Sequence, residues 1–451
     1  MAYSTVCVAQ RLPVELLCEI FDYLQEEYVN LRDPSCVDVC TDSAQALRTR
    51  FPYSVVWVCR LWRDAAGSEA RFWTWINVFV NDTLWTPAYL DEEIRWSRDI
   101  HGLRLTILTD PSLPDLPENV LRARMDLIMA SLRESSCVER CVGVRINVAS
   151  DTPMFGPLSR LIGVNDFLTR LNLSSEMEHQ TSITGDPGIH CFVANLRALT
   201  IDGYNLLTAY RSQSLGELSL TEVTVFNYPP PLASLELVDE FAMFTQLFIH
   251  ASAITIRSCE FSWPHTPRGH NRSQRRDRTL FLEDLSSATV LCIWETLDIR
   301  SLHELSIVHC GLPTFSSRRY STIVDTILLR DISAEQDMAT FLEDMDMYHL
   351  RVTNSPAFNN RVLEMLTNSP PGTHGSTLRC LSLSKMAIEG CNNWTIYALR
   401  SMVKRRNRFD NLGFGLWKVS MKDVTYRLTP YDISWFASQM PGERFQYSNI
   451  K

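Results

Sequence analysis

The sequence predicts an α/β chain: a small helical unit at the amino end, then an irregular coil of short parallel strands backed by helices. Three observations predict it. Apolar pairs of the form Leu-x-Leu recur along most of the chain. The stretches between them return apolar residues every three or four positions, which is the helical period. The first 66 residues hold two apolar helical stripes instead.

After a tail at 1–10, the run Leu12-Pro13-Val14-Glu15-Leu16-Leu17-Cys18-Glu19-Ile20-Phe21-Asp22-Tyr23-Leu24 opens the helical unit, read as 11–66. Pro13 suits a first helical turn, where its missing N–H would have no partner anyway. Leu16, Leu17, Ile20, Phe21 and Leu24 then recur at helical spacing. With Val14 and Tyr23 the apolar arc widens to about 180°, whereas a helix packing on one core needs a stripe of roughly 100°. Val55, Val58, Cys59, Trp62 and Ala66 make a second stripe that covers part of the first. The remainder calls for a partner, unless this is an ordinary helical cap whose faces are all buried within the chain. Between the stripes, a polar segment over about 30–51 reads as an inserted, solvated loop. Trp57, Trp62, Trp73 and Trp75 crowd the junction that leads into an aromatic-rich connector at 67–101, where a hinge core is expected rather than a ligand cage.

From 102 to 451 the chain repeats itself. Leu302-x-x-Leu305-x-Ile307-x-x-Cys310-x-Leu312 fits the leucine-rich-repeat spacing at every fixed position. Looser copies are Leu215, Leu218, Leu220, Val223, Val225; Ala251, Ile254, Ile256, Cys259, Phe261; and Leu378, Leu381, Leu383, Met386, Ile388. Shorter cores stand at Leu105/Ile107, Ile146/Val148, Leu171/Leu173, Leu199/Ile201, Leu235/Leu237, Leu280/Leu282, Ile327/Leu329 and Leu350/Val352. They lie about 17 to 41 residues apart, against roughly 20 to 29 in regular repeats, so the solenoid is irregular. Helices are expected over Pro117–Arg133, Ala288–Trp294, Ala334–Asp344 and Ala357–Leu366. Each unit buries its leucines only against its neighbours, and the crossovers between parallel strands are right-handed.

Strand alternation sends these leucines inward and their neighbours outward. Arg104, Arg145, Asp202, Thr221, Glu236, Arg257, Glu283, Arg330, Arg351 and Ser384 are thereby expected to face solvent. Among them Arg104, Arg145, Arg257, Arg330 and Arg351 could receive a phosphorylated or acidic client segment, because guanidinium pairs with such groups through two parallel hydrogen bonds. A merely solvated sheet face is the plainer alternative.

The formal charge of -9 opposes general nucleic-acid binding. Two basic runs, Arg268 to Arg278 in a loop at about 264–278 and Lys404, Arg405, Arg406 and Arg408, read as solvated loop or helix end. No stretch approaches 18 apolar residues and no signal peptide opens the chain, so an intracellular protein, cytoplasmic or nuclear, is expected. Thirteen cysteines form no CxxC pair, and Cys36/Cys40 and Cys137/Cys141 lack a matching second pair, so reduced thiols are expected. Cys259 and Cys310 fill the small slot after a repeat strand. His303, His309 and Cys310 have no fourth ligand at a metal-site spacing. The sequons at Asn81, Asn172, Asn271 and Asn393 are read as chance. There is no GxSxG elbow, phosphate loop, HExxH or kinase signature, so neither an enzyme nor a bound cofactor or metal is expected.

The leucine-proline start, the Leu/Ile series and the later Val58-Cys59-Arg60-Leu61-Trp62-Arg63 together resemble an F-box. Followed by irregular leucine-rich repeats, the chain is similar to the expanded F-box family of mushroom-forming (basidiomycete) fungi. The inserted segment departs from the usual short connection and resembles the extended versions found there. The resemblance implies docking on a Skp-type adaptor through Leu12, Pro13, Leu16, Ile20, Leu24, Val58 and Trp62. Through that adaptor the chain would join an SCF-type cullin-RING ubiquitin ligase as its client-recognition subunit, with the solenoid holding an unidentified client protein. A stand-alone scaffold or interaction module unconnected to ubiquitin is the alternative.

Overall fold

The computed structural model describes residues 12–30, 47–83, 85–98, 100–149, 165–175, 195–211, 219–228, 243–244, 247–248, 250–261, 278–297, 301–315, 322–367, 380, 382–408, 415–440 and 444–448. The tail at 1–10, most of the insertion, the basic loop up to 277, and Leu215, Leu218, Leu235, Glu236, Leu237, Asn271, Leu378 and Leu381 lie outside the described residues. The protein is α/β with a 14-stranded parallel sheet whose strands follow chain order, backed by helices, as a solenoid requires. It divides into two compact units, Met1–Ser219 and Leu220–Lys451.

In the first unit, helix α1 (Val14–Asn30) begins after Pro13, whose carbonyl accepts from the Leu17 N–H. Short α2 (Tyr53–Val56) and α3 (Arg60–Ser68) follow. Strands β1 (Trp75–Phe79), β2 (Leu103–Leu108), β3 (Cys141–Val148), β4 (Arg170–Ser175) and β5 (Ala198–Asp202) alternate in part with α4 (Pro87–Trp96), α5 (Glu118–Glu134) and α6 (Gly203–Arg211). The stretch expected to be a connector thus already carries a strand and a helix. Of the tryptophans expected in a hinge core, Trp73 is buried and Trp62 packs against the same core, while Trp57 is exposed; Trp73 packs on Tyr53 and Trp96 and donates from its indole N–H to the Ala66 carbonyl at 2.8 Å. Gly67 lets Trp96 lie against the backbone, since a Cβ there would come within 2.4 Å of the indole nitrogen.

The second unit holds β6 (Glu222–Phe226), β7 (Ala253–Arg257), β8 (Thr279–Glu283), β9 (Ser301–Val308), β10 (Thr322–Arg330), β11 (Met345–Thr353), β12 (Lys385–Glu389), β13 (Lys418–Lys422) and β14 (Phe445–Ser448). Its helices are α7 (Ser287–Leu297), α8 (Met338–Glu343), α9 (Asn360–Thr367), α10 (Ile396–Asn407) and α11 (Pro430–Gln439). Helix α8 is shorter than the expected 334–344, because Asp337 caps it by accepting from the Thr340 N–H. In-register pairing stacks the inward residues into rows: Val223, Ile254, Leu280, Leu305, Ile327 and Leu350 adjoin one another from strand to strand, and the row continues through Met386 to Val419. All are buried.

Two expected repeat copies sit five residues out of register. The strands use Val223/Val225 and Met386/Ile388 as their inward pairs, so the repeat reads Leu220, Val223, Val225, Tyr228 and Leu383, Met386, Ile388, Cys391. One residue beyond each strand from β6 to β13, the chain turns through a positive φ of 48° to 63°, at Asn227, Ser258, Asp284, His309, Asp331, Asn354, Gly390 and Asp423. The N–H of each turn residue donates to a carbonyl at the end of the following strand, as from Asp284 to Val308 and from Asn354 to Glu389. The turns therefore form a hydrogen-bonded spine parallel to the buried rows.

Candidate functional site

Helix α1 has two unlike faces. Leu17 and Phe21 are 0% exposed, packed with Tyr53, Val55, Val56, Ala65, Ala66, Phe72 and Trp73. Phe21 meets Trp62 edge-on at 5.5 Å and Phe72 at 6.0 Å. The other face carries Leu16, Ile20 and Leu24 at four-residue spacing, 45%, 41% and 38% exposed, with Val14 and Tyr23 beside them also exposed. In the turn between α2 and α3, Trp57 and Val58 are 65% and 54% exposed. Pro13 is exposed, while Leu12 and Trp62 are partly buried against the helical core. Of the seven residues named for docking, five therefore present apolar surface to solvent and two also brace the core. Helix α1 is tied to the unit by polar contacts at its margin: Arg71 pairs with Asp22 at 2.9 Å, and Gln25 donates to the Arg71 carbonyl at 3.2 Å.

The end of the insertion is not solvated. Leu47 is buried with Phe79 and Leu108. Arg48 bridges Asp82 at 2.7 Å and Asp110 at 2.8 Å, its guanidinium 4.2 Å from the Phe79 ring centroid, and Arg50 lies 3.9 Å over Trp75. The Tyr53 hydroxyl accepts from the Asn77 N–H at 2.8 Å and donates to Glu93 at 3.1 Å. The segment from Leu47 to Tyr53 thus ties the helical unit to β1, β2 and α4.

The five arginines proposed for a client do not form one surface. Arg145 is buried, correcting its expected exposure: it shares a row with Asn77 and Thr106, both buried, and Leu47 to Arg50 lies over the neighbouring β1 and β2. Arg104 is exposed but stacks 4.5 Å over Trp75. Arg257 pairs with Glu283 at 3.0 Å and Arg351 with Glu389 at 3.1 Å, each one strand across, and Arg330 lies 3.7 Å from Asp331. Asp202 is also buried rather than solvent-facing. Standing at the start of α6, it accepts from the Asn205 and Tyr204 N–H groups at 2.9 Å and from the Ser175 N–H at 2.6 Å. Burial pushes its carboxyl up while these donors pull it back.

Compared with protein-family models and with curated proteins, the chain matches none.

The remaining candidates are structural. Cys259 and Cys310 are buried in the turn slot, donating to the Arg257 and Val308 carbonyls. Burial pushes their thiols up to about 12 and about 11, which suppresses the thiolate. Cys391 fills the same slot, a position hidden by the register slip. His303 pairs with Asp325, and His309 stands between Asp284 and Asp331, so with Cys310 they do not converge. Among the described residues no group of three or more His, Cys, Asp or Glu could hold a metal ion, and no helix is long and apolar enough to cross a membrane. Asn81 is buried, its side-chain amide donating to the Asp110 carbonyl and accepting from the Asp110 N–H. Arg406, expected on a solvated helix end, is instead buried and donates to the carbonyls of Leu366, Cys380 and Leu383. Arg278, the one basic-loop residue described, is buried as well.

Proposed function

We propose that the protein is a non-catalytic client-recognition subunit of an SCF-type cullin-RING ubiquitin ligase, in which the helical end docks on a Skp-type adaptor and the repeat sheet holds a client protein. The observation that carries this reading is the uncovered face of α1. Leu16, Ile20 and Leu24 expose large aliphatic groups in a row while Leu17 and Phe21, one position on, are fully enclosed. An amphipathic helix that buries one stripe and leaves a second apolar stripe in water has the form of a helix completed by a partner. The F-box resemblance implies a Skp-type adaptor as that partner. Val58 and Trp57 extend the apolar surface of the same helical unit, and Trp62 holds Phe21 in place behind it. The chain's contribution to ubiquitin transfer is then proximity, raising the effective concentration of a client beside a charged enzyme on another subunit.

The test is a binding assay between the purified chain and a Skp-type adaptor. Leu16→Asp with Ile20→Asp is expected to abolish binding while leaving the circular-dichroism spectrum unchanged. Each buried aliphatic group contributes roughly 1.5–3 kcal/mol, and burying a carboxylate in its place adds a further penalty. Unchanged adaptor binding by the double variant, or no binding by the folded parent chain, would remove this assignment.

A further inference from the structure

On the solvent-facing side of the second unit's sheet, basic side chains on β7, β9 and β10 have acidic partners. Arg257 has Glu283, His303 has Asp325 and Arg330 has Asp331. Between β11 and β14 the matching extends to Arg351 and Lys422, which share Glu389, and goes no further. There the register sets His349, Lys385 and Lys418 side by side on neighbouring strands, about 4.8 Å from one strand to the next. Trp417, just before β13, is 49% exposed, with the Lys385 ammonium 5.1 Å and the Arg444 guanidinium 6.0 Å from its ring centroid. Among the described residues Lys385, Lys418 and Arg444 have no carboxylate within ion-pair distance. Glu389, four residues along β12 from Lys385, is already committed to two cations, accepting from Lys422 at 2.9 Å and Arg351 at 3.1 Å. Burial and then Lys385 hold the His349 imidazole below its usual range, so it adds little charge to the row at neutral pH.

The chain as a whole carries a formal charge of -9, so a local cationic surplus around an exposed indole is a directional feature. We propose that Lys385, Lys418, Arg444 and Trp417 form a docking surface for an acidic segment of a partner protein, carboxylates meeting the lysines and an adjacent apolar side chain lying on the indole ring. This deepens the client-recognition reading and rests on it only for calling the partner a client. It also moves the recognition site from the arginines to lysines at the carboxyl-terminal strands. Lysines spread one strand apart suit separate carboxylates, while a phosphoryl group favours converging forked guanidiniums, of which this surface has one, Arg444, because Arg351 is held by Glu389. Nucleic acid is disfavoured by Glu389 and Asp423 at the same edge and by the net charge.

The experiment measures fluorescence polarisation of a short labelled peptide rich in Asp and Glu around one Phe, titrated with the full chain. A peptide of the same length with Lys in place of the acids and a short oligouridylate are run beside it. The acidic peptide is expected to bind, to weaken as salt rises, and to quench indole emission in a way that Trp417→Ala removes. Lys385→Glu with Lys418→Glu should weaken binding by at least about tenfold, a change of about 1.4 kcal/mol, and Lys385→Gln with Lys418→Gln by less. Both variants should keep the parent circular-dichroism spectrum and adaptor binding, whereas Leu16→Asp with Ile20→Asp should keep peptide binding. The proposal is overturned if the acidic peptide binds no better than the basic one, if the charge-reversed chain binds it as well as the parent, or if oligouridylate binds more tightly. Peptide binding by a chain that ignores the adaptor would support this surface and remove the ubiquitin reading alone.

Discussion

Glu93, on α4, is a carboxyl enclosed against Tyr53, and burial pushes it up to about 8 from an ordinary 4.5, with the Tyr53 hydrogen bond working the other way. The folded state therefore binds a proton that the unfolded chain gives up. That contribution to stability is complete below about pH 4.5 and is lost as pH rises through about 8. Each tenfold change in proton affinity is worth about 1.4 kcal/mol, so the loss reaches at most about 5 kcal/mol. Glu93→Gln, which keeps an acceptor for Tyr53 without a charge, should flatten the decline between about pH 4.5 and about pH 8 in urea unfolding. A variant with the parent's pH profile would show that the carboxyl is ionised in the fold. Burial of this kind marks the limit of sequence reading at this scale. Arg145 and Arg406 stand in patterns that read as outward strand and solvated helix end, yet both are enclosed, and the carbonyls that receive Arg406, those of Leu366, Cys380 and Leu383, belong to segments distant in sequence.

The strand with its turn is the element that the sequence expresses most clearly, and also the one it misplaces. The inward spacing of three, two and three residues maps onto itself when shifted by five, so an apolar run that precedes the true strand can imitate it. Leu220 and Leu383 are shared by both settings, and only the turn residues choose between them. Asn227 and Gly390, both suited to positive φ, stand at the correct distance after Val225 and Ile388. At Gly390 the demand is strict. Its φ is 63°, and a Cβ would fall 2.1 Å from Asn354 Oδ1 in the preceding turn. Gly390→Ala should lower stability by about 1–2 kcal/mol from backbone strain, plus the cost of moving Asn354. Asn354→Ala should recover only the second part, which a double-mutant cycle would read as a favourable coupling. Strictly additive effects would mean that the two turns do not touch. The uncovered face of α1 was legible from its over-wide apolar arc, whereas β13 and β14, with Lys, Ser and Gln among few apolar residues, offered no leucine signal.

At the scale of the whole molecule the α/β class and the parallel coil followed from recurrence alone, since repetition survives errors in any one copy. What recurrence does not express is the segment from Leu47 to Tyr53 lying across the first strands, a contact between distant parts of the chain. In a linear array each strand depends on its neighbours, so damage should stay local. Leu305, fully buried between Leu280 and Ile327, tests this. Leu305→Ala should cost about 2–5 kcal/mol and accelerate amide exchange in β8 to β10 while β2 and β3 keep the parent's protection. Uniform acceleration everywhere would show a single cooperative body. The turns with positive φ also carry a consequence for how such a chain can change over generations. Each is anchored to the next by one main-chain bond, and the stretch between is unconstrained in length: twenty-two residues separate Leu305 from Ile327 and thirty-six separate Leu350 from Met386. New loops can therefore be inserted or exchanged at the crossovers with the scaffold kept intact, giving lineages a means of reshaping the surface without inventing a fold.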